Sequence, residues 1–582
     1  MDQAAILHIP LSQYAFANKE KELTIRIRTK KMDVTACTLF YGDRACNHTP
    51  VEFYPLPMEC MASDDLFDYY EITFDSPFTR VCYYFKLEDE VDWTYYYSGQ
   101  FTKEMADLIL NDTIIEGRSE YYQYPFILRE EIIDVPTWFK NAVVYNIFPD
   151  SFASGEHTLS CEEKEITMED GTISRSRLGG TMNGIRENLS YIKNLGFTCI
   201  YLNPIFVAGE SHKYDILDYY HIDPCFGTDE DFKHLVEAIH EMGMHIIIDG
   251  VFNHCSWMFF AFEDVIINGE KSNYVDWFYE LSFPVKRPEH VNELPSYACF
   301  AYEPKMPKLN TSNVEVQNYF AEVARYWIRE FKIDGWRLDV ANEIDRNFWR
   351  VFRSAAKEEN PNTVLIGEVW ENSETWLRGD AFDSTMNYDF RKHCRDFFAL
   401  GKINAKTFAG KINQMLLRYP TNICDGQLNL LDSHDVPRFL SLCQNDLKKW
   451  KQAFIFLMFA PGVPSLFYGD ETGIYGVTEK EYRSPMRWEE MDSQLLEFVT
   501  NVIGIRKKYI TYESKFQNHQ VDENNTVFSF TRMGEIGKIE IYLNVGQVEY
   551  QIPINKSHTL LLQSGIQNNI LNPWGYGIYL VD

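Results

Sequence analysis

Acidic, basic and histidine side chains lie at the ends of several short apolar segments that predict β-strands. In the segment GWRLDVANE at 335–343, apolar residues alternate with Arg337 and Asp339. Burying a lone charge is costly, so these two residues are expected to pair. A structural ion pair in an α/β core explains these two residues as well as a functional site does. Other parts of the sequence are needed to distinguish the two interpretations.

The same arrangement recurs at three other apolar segments. Asp249 and His254 close one of them, Glu368 closes the next, and His434 and Asp435 follow a third. If the strands are parallel and form a barrel, their C-terminal ends meet on one face. So many ionisable groups in one pocket favour a catalytic site over isolated polar groups in a core.

The two carboxylates Asp339 and Glu368 are spaced so that they can lie close together and act as a pair. They are 29 residues apart, about one β-α-β crossover, which places them on neighbouring strands. Carboxyl groups about 5 Å apart suit retaining hydrolysis, in which one attacks the anomeric carbon and the other protonates the leaving oxygen. Arg337 is expected to hold Asp339 ionised. A metal site is the alternative, but no compact ligand motif accompanies these residues.

The elements that must position these residues are eight apolar segments separated mostly by amphipathic helices. This pattern predicts an α/β fold, a closed (β/α)8 TIM barrel. The predicted strands are 142–148, 199–203, 245–251, the segment around Asp339, 364–370, 384–389, 427–431 and 465–468. An inserted domain at 255–310 interrupts the pattern after the third strand and is expected to build part of a substrate cleft.

β-rich segments flank the predicted barrel on both sides. Residues 1–125 predict an N-terminal β-sandwich, 126–140 a linker, 141–508 the barrel, and 509–582 a C-terminal β-sandwich. For the N-terminal sandwich, a structural or dimerisation role is as consistent with the sequence as glycan binding.

Composition excludes several classes of partner. The net charge of -30 argues against nucleic acid, whose binding needs a basic face. The longest apolar stretch, 453–460, is too short to span a membrane. Twelve scattered cysteines without a C-x-x-C pair suggest neither zinc nor a disulfide framework. With no signal-peptide pattern at the N-terminus, a cytoplasmic location with reduced thiols is expected.

The order and length of the motifs resemble the α-amylase family, glycoside hydrolase family 13, and within it the neopullulanase, cyclomaltodextrinase and maltogenic amylase subgroup. The N-terminal region is similar to carbohydrate-binding module family 34. The motifs that carry the resemblance are DGVFNH at 249–254, MPKLN at 306–310, GWRLDVANE at 335–343, GEVW at 367–370 and LDSHD at 431–435. MPKLN and VANE are typical of the subgroup.

The resemblance implies a role for each candidate residue. Asp339 would be the nucleophile, Glu368 the acid/base and Asp435 the stabiliser of the transition state. The implied sugar-binding residues are Arg337, His254, His434, His212 and Tyr214, with Asp249 as a supporting carboxylate. From the sequence alone, Tyr214 is equally consistent with packing in the barrel.

Three further residues are expected on the acceptor side of the cleft. Asn342 and Glu343 stand where many α-amylases have Lys and His, and a Glu here is linked in the subgroup to handling water or an acceptor sugar. Trp370 is expected to stack on the acceptor sugar, although capping the barrel is an alternative role.

The resemblance also implies a substrate class and an assembly. It implies cleavage of α-1,4 bonds in cyclodextrins, pullulan and maltooligosaccharides with some transglycosylation, by a homodimer formed through the N-terminal module. One alternative is an exo-acting α-glucosidase or oligo-1,6-glucosidase, against which MPKLN and the N-terminal module argue. Another is a non-catalytic glycan-binding protein, against which the retained carboxylates argue.

Calcium and other cofactors are not expected. Relatives often bind calcium through an Asn/Asp-rich loop after the first strand and a Gly-Gly-Asp sequence. Here the loop is Ser151 to His157, and Gly179-Gly180 is followed by Thr181. Calcium needs six to eight oxygen ligands, which these residues do not offer.

Overall fold

The computed structural model describes residues 1–47, 50–104, 118–155, 159, 164–168, 173–290, 293–520 and 526–581. The chain forms two units, one of residues 1–134 with 403–424 and the other of residues 135–402 with 425–582. Residues 403–424, which lie within the range expected for the barrel, therefore group with the N-terminal unit.

The first unit contains the predicted N-terminal β-sandwich. Its antiparallel strands are β1 (Ala15–Lys19), β2 (Glu22–Lys30), β3 (Ala36–Asp43), β4 (Tyr54–Ser63), β5 (Phe67–Asp75), β6 (Val81–Glu88), β7 (Trp93–Tyr97), β8 (Gln100–Thr102) and β9 (Tyr122–Tyr124). Their order is β1-β2-β5-β4-β3-β6-β7-β8, with β9 beside β6. The first half of β4 pairs with β3 and its second half with β5, so β4 belongs to both layers. Alternating side chains of the two layers, such as Ile25 and Phe85, share one core.

The described part of the first unit also contains helices. They are the 3-10 helices Gln3–Ala5 and Arg129–Glu131 and the α-helices Ala405–Leu416 and Thr421–Cys424. Helix Ala405–Leu416 is anchored by Gln414, whose side-chain amide donates to the Asp64 carboxylate at 2.9 Å.

The second unit contains the barrel. Its strands before the C-terminal sheet are β10 (Val144–Ile147), β11 (Lys164–Thr167), β12 (Ile173–Ser176), β13 (Cys199–Leu202), β14 (Phe206–Ala208), β15 (Ile216–Ile222), β16 (His245–Gly250), β17 (Gly335–Leu338), β18 (Val364–Gly367), β19 (Ser384–Asn387), β20 (Leu428–Leu430) and β21 (Val463–Phe467). Strands β10, β13 and β16–β21 close into a parallel eight-stranded barrel, whereas β11–β12 and β14–β15 form hairpins. The predicted (β/α)8 barrel is confirmed.

Helices connect most of the barrel strands. The α-helices are Thr137–Lys140, Pro149–Phe152, Met182–Glu187, Leu189–Leu195, Asp229–Glu241, Phe260–Asn268, Val314–Phe331, Arg346–Glu359, Tyr388–Cys394, Phe439–Leu442, Leu447–Phe459, Glu479–Tyr482 and Ser493–Tyr509. The 3-10 helices are Gly269–Lys271, Val275–Trp277, Phe300–Tyr302, Ala341–Glu343, Glu374–Trp376 and Asp470–Thr472, and Arg395–Ala399 is a π-helix.

The helix before β17 shows why the sequence folds this way locally. The Asn313 side chain accepts hydrogen bonds from the amides of Glu315 and Val316 and so caps the helix start. Buried residues at helical spacing, including Phe320 and Trp327, face the core. The chain then enters β17, which carries Arg337 and is followed directly by Asp339.

The inserted segment after β16 returns to the end of that strand. Its last residues carry the MPKLN motif, and the amide of Leu309 donates to the Asn253 carbonyl at 3.0 Å. The amide of Cys255 donates to the Pro307 carbonyl at 3.2 Å. The insertion therefore brings Lys308 beside the C-terminal end of β16.

The C-terminal β domain is one antiparallel sheet. Its strands are β22 (Lys515–Gln520), β23 (Val527–Gly534), β24 (Gly537–Asn544), β25 (Tyr550–Gln551), β26 (His558–Gln567) and β27 (Ile570–Val581). The order is β22-β23-β24-β27-β25, and β26 also pairs with β27. A cluster around Tyr542, Leu571 and Tyr579 fills one face.

Two features bear on the predicted environment. The eleven cysteines that lie in the described residues are free thiols. None of the helices in the described ranges combines the length and the apolar character needed to cross a bilayer.

Candidate active site

The guanidinium group of Arg337, which is 0% exposed, lies at the centre of a cluster of carboxyl groups. Its Nη1 donates to Asp249 at 2.9 Å and to Asp339 at 2.8 Å. Its Nη2 lies 2.9 Å from Glu368 and 3.8 Å from Asp435. The ends of β16, β17 and β18 and the loop after β20 thus converge on one buried cation.

Asp339 and Glu368 stand side by side because their strands do. Strands β17 and β18 pair in parallel with Leu338 opposite Gly367, and each carboxylate is the next residue along its chain. Both side chains are buried, and one oxygen of each contacts the same guanidinium group. This shared contact keeps them within the roughly 10 Å that glycoside hydrolysis allows.

Backbone and aromatic groups hold the Glu368 carboxylate. The amide of Val340 donates to Oε2 at 3.0 Å, and the indole of Trp370 donates to Oε1 at 3.1 Å. Val340 has a φ of 43°, a rare conformation for a β-branched residue, and such strain often accompanies functional sites. Trp370 stacks on Tyr388 at 3.9 Å and is 47% exposed, so its ring lies at the open edge of the site.

Tyr214, His434 and Asp435 form the other side of the site. The Tyr214 hydroxyl donates to Asp249 at 3.1 Å and contacts Nε2 of His434, which lies 3.0 Å from Asp435. The rings of Tyr214 and His434 are nearly parallel, 5.5 Å apart. Asn203 lies 2.9 Å from Nδ1 of His434. These contacts fix the orientation of both rings.

Burial governs the protonation of the carboxyl groups. It raises the pKa of Asp339 well above its usual value, Arg337 opposes the rise, and Glu368 adds to it. Burial likewise raises the pKa of Asp249, and it raises the pKa of Asp435 to about 7. The sequence-based expectation that Arg337 keeps Asp339 ionised did not take into account burial and the neighbouring carboxylates, both of which raise the pKa of Asp339. Four carboxyl groups outnumber the two guanidinium groups beside them, those of Arg337 and Arg483, so the cluster retains protons near neutral pH.

Burial keeps the histidines neutral. It lowers the pKa of His254 to about 3 and that of His212 to about 4, and the pKa of His434 falls well below its usual value. Neutral imidazoles can both donate and accept hydrogen bonds, which suits the hydroxyl groups of a sugar.

The residues expected on the acceptor side lie at the open edge. The ammonium of Lys308 contacts the Asn253 side chain and lies 3.2 Å from both the carbonyl and the carboxylate of Glu343. Asn342 donates to Glu371 at 3.4 Å. Asn342 and Glu343 are exposed and stand outside the buried cluster.

Comparison with known proteins gives the same assignment as the motifs. Residues 146–529 match the family described as alpha amylase, catalytic domain, and residues 1–127 match the alpha amylase N-terminal ig-like domain. The chain is 38% identical over 561 residues to a cyclomaltodextrinase of Geobacillus thermopakistaniensis (strain MAS1), covering 95% of this chain and 93% of that protein. The chain belongs to the alpha-amylase family.

Two other members of this family are similar over nearly the whole chain. Neopullulanase 2 of Thermoactinomyces vulgaris is 38% identical over 546 residues, which covers 93% of this chain and 90% of that protein. A solved structure of a cyclomaltodextrinase superimposes with a TM-score of 0.88 at 34% identity and covers 100% of both chains.

The predicted site residues fall into an inner and an outer group. Asp339, Glu368, Asp435, Arg337, His434 and Tyr214 meet in the buried cluster, together with Asp249. His212 accepts from the Tyr214 amide at 3.0 Å. His254 stacks on Phe300 at 4.8 Å, and its Nε2 makes no hydrogen bond within the described residues. Asn342, Glu343 and Trp370 form the outer edge.

Sequence reasoning missed Arg483, Asn203 and Tyr388. Arg483 donates to the His434 carbonyl at 2.8 Å and lies 3.6 Å from the Asp435 carboxylate. It follows helix Glu479–Tyr482, and no pattern around it predicts this position. Asn203 and Tyr388 follow β13 and β19 directly, so the rule that polar residues at strand ends line the site would have found them.

Proposed function

We propose that this protein is a retaining α-glucan hydrolase that cleaves α-1,4 bonds in cyclodextrins, pullulan and maltooligosaccharides and transfers part of the sugar to acceptors. The observation that carries the proposal is the single buried Arg337 in contact with both Asp339 and Glu368 at the ends of adjacent strands. The names of the similar cyclomaltodextrinases and neopullulanase support the substrate class.

The chemistry follows from this pair. Asp339 attacks the anomeric carbon and forms a covalent glycosyl-enzyme, while Glu368 protonates the departing oxygen. Glu368 then takes a proton from water or a sugar hydroxyl, and that oxygen displaces Asp339. Arg337 keeps its charge throughout and balances the charge on Asp339 when the latter is ionised.

Asp435 and the neutral histidines bind the sugar in the cleavage position. Asp435 is proposed to stabilise the positive charge that develops on the sugar ring, and His434 lies within hydrogen-bond distance of it. Nε2 of His254, which makes no hydrogen bond within the described residues, would bond a sugar hydroxyl. The exposed face of Trp370 would stack on the acceptor, and Glu343 would orient its hydroxyl or a water.

A homodimer formed through the N-terminal domain and a cytoplasmic location complete the proposal. Exposed apolar side chains on that domain, among them Met61, Leu66 and Val91, would supply apolar surface to such an interface. The free thiols of the described cysteines fit a reducing compartment. Light scattering of the full chain tests the assembly, and a monomeric mass would contradict it.

Substitution of the two carboxylates tests the reaction. Glu368→Gln should lower kcat by about 10²–10⁴-fold, and Asp339→Asn by about 10⁴-fold or more, with thermal unfolding little changed. Asp334→Asn is the matched control, since Asp334 precedes β17 at the opposite end of the barrel. If both site variants keep the wild-type rate, the chain is no hydrolase of this type.

Product analysis tests the substrate. We expect faster hydrolysis of cyclodextrin than of soluble starch, and panose as the product from pullulan. Glucose as the sole product, or a large preference for starch, would overturn this assignment.

A further inference from the structure

A buried lysine separates two residues of the site. Lys213 lies between His212 and Tyr214, and its own side chain is 1% exposed. Its φ is 64°, in the left-handed region that side chains other than glycine seldom adopt. Lysine is rarely buried unless it is paired. The burial of Lys213 and its positive φ therefore both indicate that the side chain has a specific structural role.

The ammonium of Lys213 is enclosed by oxygen atoms. It lies 2.9 Å from Asp223, and it donates to the Arg175 carbonyl at 2.7 Å and to the Ser174 hydroxyl at 3.0 Å. These three oxygens use all three of its donors. Asp223 is 0% exposed and also accepts from the amides of Ala208 and Cys225 at 3.0 and 2.9 Å. This buried pair is therefore fully hydrogen-bonded, as a stable buried pair must be.

The turn that contains Lys213 leads directly to a residue of the site, Tyr214. The Asp215 carboxylate accepts from the amides of Gly209 and Glu210, each at 3.1 Å, and closes the base of the turn. Tyr214 is the residue after Lys213, and its hydroxyl contacts Asp249 and His434 in the site. A shift of this turn would move the Tyr214 ring within the site.

We propose that the ammonium of Lys213 serves as a built-in cation that fixes the turn at 209–215 and thereby positions Tyr214. Lys213 does not belong to the carboxylate cluster around Arg337, so it is a positioning residue that acts through Tyr214. This inference rests on the proposed function only for its activity readout.

The first test compares Lys213→Met with a matched control. Lys357 has a similar cage at the start of β18, where its ammonium lies 2.9 Å from Asp383 and donates to the Thr363 and Pro361 carbonyls at 2.6 and 3.4 Å. Both Lys213→Met and Lys357→Met should lower the melting temperature. Only Lys213→Met should also lower kcat/KM on cyclodextrin, by roughly tenfold or more, at a temperature where both variants are folded. Equal activity in the two variants would overturn the proposal.

A double-mutant cycle with Tyr214→Ala tests whether Lys213 acts through Tyr214. If it does, adding Lys213→Met to Tyr214→Ala should change kcat/KM by no more than about twofold, because coupled sites are not additive. Additive losses would refute the route through Tyr214.

Hydrogen exchange gives a readout that does not depend on activity. Amides of 209–216 should exchange faster in Lys213→Met than in wild type, and should be unaffected in Lys357→Met. Unchanged exchange would contradict the proposal. Should the wild-type chain cleave no α-glucan, the proposed function fails and hydrogen exchange alone decides this inference.

Discussion

Arg337 has more acidic neighbours than it can neutralise, and this imbalance sets the chemistry of the site. Asp249, Asp339, Glu368 and Asp435 all lie within 3.8 Å of its guanidinium group. Because burial disfavours the charged forms of Asp249, Asp339 and Asp435 and raises their pKa values, protons stay in the cluster at a pH where free carboxylic acids have lost theirs. A retaining hydrolase needs both states, one ionised nucleophile and one protonated acid.

The pH dependence of kcat/KM should report this cluster. The pKa of Asp339 is raised by burial, so Asp339 becomes protonated, and inactive as a nucleophile, at a higher pH than an exposed aspartate would. We expect kcat/KM for a maltooligosaccharide to fall on the acid side with an apparent pKa well above the ~3.9 of an ordinary Asp. The value belongs to the interacting group rather than to one residue.

Thermal unfolding measured over the same pH range is the control, because it separates a titration from acid unfolding. An acid limb of kcat/KM near pH 4 in a fully folded enzyme would show that Arg337 outweighs burial.

At the scale of elements, the barrel places reactive groups at one end of its strands and an ion cluster at the other. Asp334, just before β17, lies 2.9 Å from Nε2 of His240 and 3.1 Å from Nδ1 of His245. The His245 ring stacks on Trp138 at 4.0 Å. Helix Asp229–Glu241 and the start of β16 are thereby tied to β17.

This cluster should make stability depend on pH in a defined direction. Asp334 raises the pKa of His240 through their hydrogen bond, so this contribution is complete below the unfolded pKa of ~6.5 and is lost as pH rises through the folded pKa. Burial opposes the shift, but the hydrogen bonds from His240 and from the Ile246 amide lower the pKa of Asp334, so its contribution is lost as pH falls through its own folded pKa. The window of greatest effect is therefore ~4–6.5.

Replacing His240 by Gln tests that window. The melting temperature should drop by about 1–2 °C near pH 5.5 and by less at pH 8.5, since partly exposed pairs contribute little. His234→Gln is the control, because His234 lies on the same helix but faces the exposed Glu230 at 3.3 Å. An equal loss at both pH values would contradict the assigned direction.

Much of this architecture follows from the sequence because strands of a parallel barrel are apolar on both faces. The segments at 199–203 and 364–370 stand out for this reason, and the polar residue that ends each one points to the site. The insertion that carries Lys308 and the loop that carries Arg483 have no such pattern. Their positions depend on tertiary contacts, such as the pairing of Leu309 with Asn253, and these cannot be read from local periodicity. The raised pKa of Asp339 was missed for the same reason, since burial is a property of the whole barrel.

At the scale of the whole molecule, the net charge of -30 attracts divalent cations to the surface without specificity. Such attraction differs from binding at a defined calcium site, which depends on particular ligands. The loop that is expected not to bind calcium follows β10, and its residues Glu156 and His157 lie outside the described residues. Asp150, just before this loop, is buried and already satisfied. Its carboxylate accepts from the Ser176 hydroxyl at 2.5 Å and from the amides of Arg177 and Gly179 at 3.0 and 3.1 Å.

These donors occupy the oxygen lone pairs that a metal would use, and Thr181 follows Gly180 where a carboxylate would be needed. The ammonium of Lys164 also lies beside Gly179 and would repel a cation. We therefore propose that the protein holds no calcium there, and that a chelator leaves the melting temperature of the full chain unchanged. Magnesium at equal ionic strength is the control, because it screens the negative charge without filling a calcium site. A melting temperature that falls with chelator and recovers with calcium, but not with magnesium, would show that a site exists, since a ligand bound to the folded state alone raises stability.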